Sequence, residues 1–362
     1  MARTVFILGA GASKEAGAPL MKEFLDKAHD LWKIGDVKES DEHFSKVFKG
    51  IGVLQNVHSK AQLDIQNVES VFAAFEMARI LGHFGEYSNE EIILLEKSMK
   101  KVIVATIQNT LLLPVVRQTV MAPPPYDLFL DLIHKIRGDL RLNQSVAVIT
   151  FNYDMAIDYT FHRSGQAITY NLGEETRISP IPILKLHGSL NWAQCKECGI
   201  ITPWQLHNYF KKYNWQLHGE PKNVLLAIGS HIQNYKHGEH SVWEEPVVVP
   251  PTWNKYDYHN MLAKVWSAAA KELGEAENIF VIGYSLPHTD AFFRYLYALG
   301  TVGEAFLKRF WVFNPDSSGT VKERFKSMLG PGAEQRFYYS ENNFTGAIHE
   351  IAHQFGIRVE HL

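Results

Sequence analysis

The stretch Thr4–Leu20 reads TVFILGAGASKEAGAPL, and the rest of the chain is read outward from it. A strand-like run, Thr4–Leu8, ends in Gly9-Ala10-Gly11, and a small segment carrying Ser13 then opens toward a helix. Glycines in that place permit a tight turn and let a phosphate approach backbone N–H groups at a helix N-terminus. A βα turn that needs glycine for steric reasons alone has the same appearance, so the motif by itself leaves both readings open. The dinucleotide fingerprint G-x-G-x-x-G wants a third glycine where this chain has Lys14, the next glycine being Gly17. It also wants an acidic residue closing a second strand roughly 20 residues on. The text there, FLDKAHDLW (Phe24–Trp32), has helical character. A Rossmann unit built for hydride transfer is disfavoured.

Similar runs recur at Val146–Phe151, Ile183–Leu186, Val247–Val249, Ile279–Ile282 and Arg309–Phe313. Most are near-continuous apolar segments, as expected of parallel strands covered on both faces. The fold class is α/β: a Rossmann-like, mostly parallel sheet with helices on both faces. Residues 1–19 and 140–362 form a discontinuous main domain in this reading, and 20–139 a helical insertion, too long for one crossover helix. Within it, NVESVFAAFEMARIL (Asn67–Leu81) places Val68, Val71, Phe72 and Phe75 on one face behind a capping Asn67. EEIILLEKSMKKVIVATIQNTLLL (Glu90–Leu113) continues in the same manner. MAPPPYD (Met121–Asp127) reads as an extended hinge back to the sheet. Residues 191–246, rich in Trp, Tyr, His and Lys, read as a small irregular module beside the site.

With 362 residues, 46% hydrophobic and 21% charged, the composition is that of a globular protein. A formal net charge of −3 gives no global reason for direct nucleic-acid binding. No apolar run reaches the roughly 18 residues that span a bilayer, so no membrane association is expected. The N-terminus passes straight into a strand pattern without signal-peptide character. Two cysteines, Cys195 and Cys198, make no disulfide framework, and a reducing cytoplasm is the expected compartment.

Ligands of open α/β sheets sit at the carboxyl ends of strands, and those ends here carry polar or small residues. FNYD places Asn152 and Asp154 after a strand, an amide and a carboxylate able to hold ribose hydroxyls or orient a water. An Asx turn or helix cap explains them equally well. LHGS places His187 after another strand, where an imidazole titrating near neutrality suits a general base, although lone histidines are more often structural. IGYS offers Gly283 and Ser285 to phosphate, and FNPD offers Asn314 and Asp316 to an adenosine ribose; each is also an ordinary turn.

Taken together and in order, GAGAS with AGAP, TFNYD, LHGS, GYS and FN resemble the sirtuins. The chain looks more closely like bacterial sirtuin-like proteins of antiphage defence, in which HGS-x-NW (His187–Trp192), PPTWNK (Pro250–Lys255) and GYSLP-x-TD (Gly283–Asp290) are typical. The resemblance runs from Thr4 to about Asp316 and leaves the helical insertion unmatched. It implies NAD+ as the substrate to be broken. Gly9, Ala10, Gly11 and Ser13 match the turn on the pyrophosphate, and Gly283 and Ser285 a phosphate turn. Asn314 matches the residue near the adenine ribose, Asn152 and Asp154 the pair near the nicotinamide ribose, and His187 the catalytic histidine. It implies hydrolysis of NAD+ to nicotinamide and ADP-ribose, in a homo-oligomer beside a HerA-type hexameric ATPase. The alternatives are an NAD-dependent protein deacylase and a non-catalytic NAD or ADP-ribose sensor signalling to that ATPase.

Departures from the deacylating sirtuins favour water as the acceptor. Their Gly-Ile-Pro is followed by Asp-Phe-Arg, whereas AGAP here is followed by Leu20-Met21-Lys22. The Gln before their catalytic Asn is Phe151, and their four zinc-binding cysteines are reduced to one pair in CKEC (Cys195–Cys198). Half a zinc ribbon is not a four-ligand site, so no metal is expected unless His207 or His218 completes it. HEIAH (His349–His353) matches H-E-x-x-H, but the extended protease form wants a histidine at Val359, and Gly356 reads as a helix stop. The chain has no P-loop signature for ATP-driven work.

Overall fold

Thr4–Leu8 lies within β1 (Ala2–Leu8), and Val5, Phe6 and Ile7 are fully buried. The computed structural model describes residues 2–56, 63–142, 144–173, 179–215, 217, 222–250, 261–287, 290–301 and 306–361. Six further strands join β1: β2 (Gln144–Thr150), β3 (Ile168–Thr169), β4 (Ile181–Lys185), β5 (Asn278–Ile282), β6 (Arg309–Phe313) and β7 (Phe337–Ser340). Their order is β7-β6-β5-β1-β2-β4-β3, and every pairing is parallel. The chain leaves β1 for β2 on one side and later returns to β5 on the other. The crevice beyond the carboxyl ends of β1 and β5 is thus the topological switch point, where doubly wound sheets take their ligands.

Helices cover both faces. Phe6 and Phe280 contact Phe129 of α6 (Pro124–Gly138) and Phe355 of α11 (Phe344–Phe355), respectively. Phe310, one residue from Trp311 and so on the opposite face, meets Tyr297 of α9 (Ala291–Gly300) and Phe325 of α10 (Thr320–Lys326). α7 (Ala156–Ser164) follows β2, and α8 (Ala263–Gly274) packs against α9 and β4. The expected Rossmann-like α/β class is what the chain adopts.

After β1 come α1 (Ala10–Lys14), α2 (Phe24–Ile34), α3 (Asp41–Gln55), α4 (Val68–Leu81) and α5 (Asn89–Thr110). Val68, Val71, Phe72 and Phe75 are buried, and the Asn67 side chain accepts from the Glu69 N–H at 2.9 Å, as the pattern predicts. α5 opens with a reciprocal Ser88–Glu91 capping box.

Three expectations are corrected. The helical reading through Leu113 fails after Thr110: Leu112–Val116 is a strand pairing with Thr119–Val120 and Asn223–Leu225. Pro114 lies within it, and proline biases its predecessor away from helix. The hinge Met121–Asp127 is extended only to Pro123, and α6 begins at Pro124. Proline suits a first helical turn because its φ is preset and its missing N–H would have no partner there. Val247–Val249 joins no sheet. It forms a strap along the His187 turn, with Ser189 N–H donating to Val247 O at 2.9 Å and Val249 N–H to His187 O at 2.8 Å. Pro246 and Pro250 flank it, so ladder donors are missing at both ends. Among the described residues no helix is long and apolar enough to cross a membrane.

Candidate functional site

At the switch point the two glycine turns touch backbone to backbone. Gly9 N–H donates to Ile282 O at 3.0 Å, and Gly11 N–H to Gly283 O at 2.9 Å. A Cβ on Gly283 would lie 2.3 Å from Ala12 N, and its φ of +65° is strained for other residues. The glycines are therefore required by packing, whatever else they do. Gly283→Ala is expected to cost about 2–4 kcal/mol, combining left-handed strain with overpacking. Thermal and denaturant melts check this against Gly138→Ala, whose Cβ meets nothing within 4 Å.

Below the turn lies a buried polar network. Asn152 Nδ2 donates to Gly9 O at 2.9 Å and to Ser13 Oγ at 3.0 Å, and Ser13 Oγ donates to Asp154 Oδ2 at 2.7 Å. Tyr126 OH sits 2.6 Å from the same Ser13 oxygen. A serine hydroxyl has one proton, and it is committed to Asp154, so Tyr126 is the donor in that contact. Asp154 Oδ1 also accepts the Ala156 N–H at 2.9 Å, the Asx turn foreseen at the start of α7. Burial raises the Asp154 carboxyl above its ordinary value, against the pull of Lys185. Burial, then the nearby Asp154 charge, pushes the Tyr126 phenol well up.

Behind Asp154, Lys185 Nζ donates to Asp154 O and to Asp158 Oδ2, both at 2.7 Å, and both ion-pair side chains are 0% exposed. Tyr170 OH donates to Asp158 Oδ1 at 2.6 Å. A buried charge needs such pairing and saturation to persist.

His187 begins the loop after β4. Its ring lies edge-on to Phe151 at 5.0 Å, and its Nε2 is 3.5 Å from Asp290 Oδ1. Tyr284 OH donates to Asp290 Oδ2 at 3.1 Å, and the Tyr284 ring stacks on Phe151 at 4.1 Å. That stack ties the β5 and β2 loops around the imidazole. Gly188, with φ +83°, has Val247 O 2.0 Å from where a Cβ would be, so the strap passes where only glycine fits.

The structure thus brings Gly9, Ala10, Gly11, Ser13, Asn152, Asp154 and Gly283 to one crevice, with His187 at its β4 side. Ser13 is 1% exposed and its hydroxyl is the hub of the network, while Asn152, Ala10, Gly11 and Gly283 are half-buried. Ser285 is half-buried beside the strained Leu286 (φ 48°), and Arg324 Nη1 donates to its carbonyl at 3.3 Å. Asn314 closes its own turn, accepting the Asp316 N–H at 3.0 Å, while its amide reaches Tyr284 O at 3.4 Å. Of the quoted motifs, residues 251–255 of PPTWNK and His288 and Thr289 lie outside the described residues.

Sequence reading assigned no role to Tyr126, Lys185, Asp158, Tyr170 or Asp290. Lys185 carried a signal: a lysine inside the apolar run ILKL needs a buried acid.

The CKEC pair is not alone. Cys195, Cys198, His237 and His240 gather with all four ligand atoms within 4.8 Å of one another. His237 and His240 stand where the sequence reading looked to His207 or His218; His218 lies outside the described residues. Backbone donation from Cys198 holds the Cys195 thiol down to about 6, with burial opposing. His349 and His353 of the H-E-x-x-H match are both exposed on α11, and no third acid, histidine or cysteine gathers with them among the described residues. A cavity of about 520 Å³ lies elsewhere, between α3, α5 and the strap, lined by His43, Lys46, Lys97, Lys101, Lys196 and Trp243 among others.

No family model matches the chain, and no curated protein matches it in sequence. Among solved structures it is similar to one reported under "Structural Basis for the Mechanism and Regulation of Sir2 Enzymes", at 13% identity and TM-score 0.43, covering 98% of this chain and 92% of that one. A Sir2 homolog–NAD complex gives 14% identity and TM-score 0.41 over 97% and 88% of the two chains. A Sir2 bound to acetylated peptide gives 13% and 0.41 over 98% and 94%. Likeness at this level says nothing of activity.

Proposed function

We propose that the chain is a sirtuin-like NAD+ glycohydrolase that cleaves NAD+ to nicotinamide and ADP-ribose. The observation that carries this reading is the meeting of the Gly9–Ser13 and Gly283 turns with Asn152, Asp154 and His187 at the switch point. These are the positions that the ordered motifs mark. NAD+ lies across the crevice with its pyrophosphate at the glycine turns, Ser285 on a phosphate and Asn314 toward the adenine ribose.

The nicotinamide nitrogen is cationic, so the leaving group departs with little acid help and the protein's work is orientation and delivery of the acceptor. The His187 imidazole takes the proton of a ribose hydroxyl or of the attacking water, and Asp290, 3.5 Å from its Nε2, stabilises the imidazolium so formed. Asn152 holds the ribose or the water. Asp154, engaged by Ser13 and the α7 N-terminus, acts as a positioning residue for Asn152.

In this proposal NAD+ depletion is the cytoplasmic output of antiphage defence, by a homo-oligomer working beside a HerA-type hexameric ATPase. Phe292, Tyr295 and Leu299, exposed on α9, support a protein contact there. The test follows nicotinamide and ADP-ribose release from NAD+ with and without the neighbouring ATPase, with and without an acylated peptide. Peptide-independent release that Asn152→Ala lowers at least about 100-fold is expected, the scale of a lost catalytic group. Turnover only with peptide, yielding O-acyl-ADP-ribose, overturns it for deacylation. Binding without turnover overturns it for a sensor.

A further inference from the structure

Two hairpins face each other in the small module. The first pairs Trp192–Gln194 with Ile201–Pro203, and its turn is closed by Cys195 N–H to Ile200 O at 2.9 Å. The second pairs Lys236–His237 with His240–Ser241. Cys195 bridges to Val242, Lys196 N–H donates to Ser241 O at 3.0 Å, and Trp243 N–H to Gln194 O at 3.0 Å. Each hairpin thus presents two ligands spaced x2, C-x2-C and H-x2-H, toward one point.

The distances suit an ion at that point. Cys195 Sγ lies 3.6 Å from His240 Nδ1, and Cys198 Sγ 3.5 Å from His237 Nδ1. A tetrahedral zinc with Zn–S about 2.3 Å and Zn–N about 2.0–2.1 Å separates its ligand atoms by roughly 3.3–3.8 Å. Two independent thiol–imidazole hydrogen bonds would not require all four atoms to converge within 4.8 Å. Two sulfurs and two imidazoles select zinc over the oxygen-seeking magnesium and calcium.

The second hairpin continues through Val242 and Trp243 into the strap. Val247 N–H donates to Trp192 O at 2.8 Å, the strap then pairs with Gly188 and Ser189, and Val249 N–H donates to His187 O. Tyr153 OH anchors the strap's far end through Val249 O at 2.8 Å. An ion joining the hairpins fixes where the strap starts, and the strap is the outer wall of the His187 turn.

We propose that Cys195, Cys198, His237 and His240 bind one Zn²⁺ ion, and that this ion holds the 242–249 strap in register on the His187 turn. Neither half depends on which reaction the crevice performs. The experiment measures metal content of the full chain by mass spectrometry and the visible spectrum of its cobalt-loaded form. The expected result is one zinc per chain and the intense bands of four-coordinate cobalt with thiolate ligands. Both are lost in Cys198→Ser and His237→Ala, and both are retained in His207→Ala and His237→Cys. Metal content that is substoichiometric in zinc-supplemented medium, or unchanged by His237→Ala, overturns the site. Hydrogen exchange before and after chelation tests the second half. Protection is expected to fall at 242–249 and 187–190 while the sheet strands keep theirs. Unchanged exchange in those segments after verified zinc removal overturns the positioning role.

Discussion

His187→Ala is expected to lower NAD+ cleavage by about 10²–10⁴-fold, the range for removing a general base. Its ring is held among Phe151, Tyr153 and Asp290, so the substitution removes a proton acceptor and leaves the backbone of the loop, with its Val249 and Lys185 pairings, in place. His187→Gln keeps much of the volume without the base and is expected to be equally slow. Asp290→Asn keeps the imidazole but removes the charge facing its imidazolium, and is expected to fall between. Nicotinamide release measured by chromatography under the conditions that activate the wild type decides these cases, with circular dichroism confirming the fold. Wild-type turnover in His187→Ala would refute its role.

Lys185→Met is expected to destabilise the fold by about 3–5 kcal/mol, because it leaves the fully buried Asp158 carboxylate without its ion-pair partner. The side chain makes two 2.7 Å hydrogen bonds and is reached by no water, so no solvent screening softens its loss. Tyr170 still donates to Asp158 in the variant, but one neutral donor does not replace a charge. The double variant Lys185→Met with Asp158→Leu is expected to recover part of the loss, since a buried ion pair can often be replaced by apolar groups at little cost. Denaturant titrations followed by tryptophan fluorescence check both. A loss in Lys185→Met under about 1 kcal/mol would place the pair among weak surface bridges instead.

The strands that matter were legible because their burial is nearly complete: TVFIL, VAVITF, IFVI and RFWVF carry the same near-continuous apolar text, and each falls on a strand with neighbours on both sides. β7 escaped notice because Phe337–Ser340 lies at the sheet edge with every residue partly or fully exposed, so no apolar run forms. Val247–Val249 misled for the opposite reason. Three consecutive valines read as a strand, yet between Pro246 and Pro250 they form a strap. The glycine turns, Asn152, Asp154 and His187 were legible as strand ends, each ambiguous alone. Their mutual contacts were not, since hydrogen bonds between residues 139 and 141 apart, as from Ser13 to Asn152 and Asp154, leave no local pattern. Tyr126 was hidden in a proline-rich segment read as extended. The cysteine pair was visible at once, but its histidine partners follow some 40 residues later among many other histidines, and only folding selects them.

The contact between the two glycine turns also sets a timetable for the newborn chain. β1 is made well before its partner on one side, β5, since Thr4 and Asn278 are separated by 274 residues. At synthesis rates of about 5–20 residues per second, that edge of β1 waits on the order of tens of seconds for its neighbour. Throughout that interval the crevice has only one of its walls. A chain still growing toward Gly283 therefore holds an incomplete site, and any activity that needs both turns begins only after the second of them has been made.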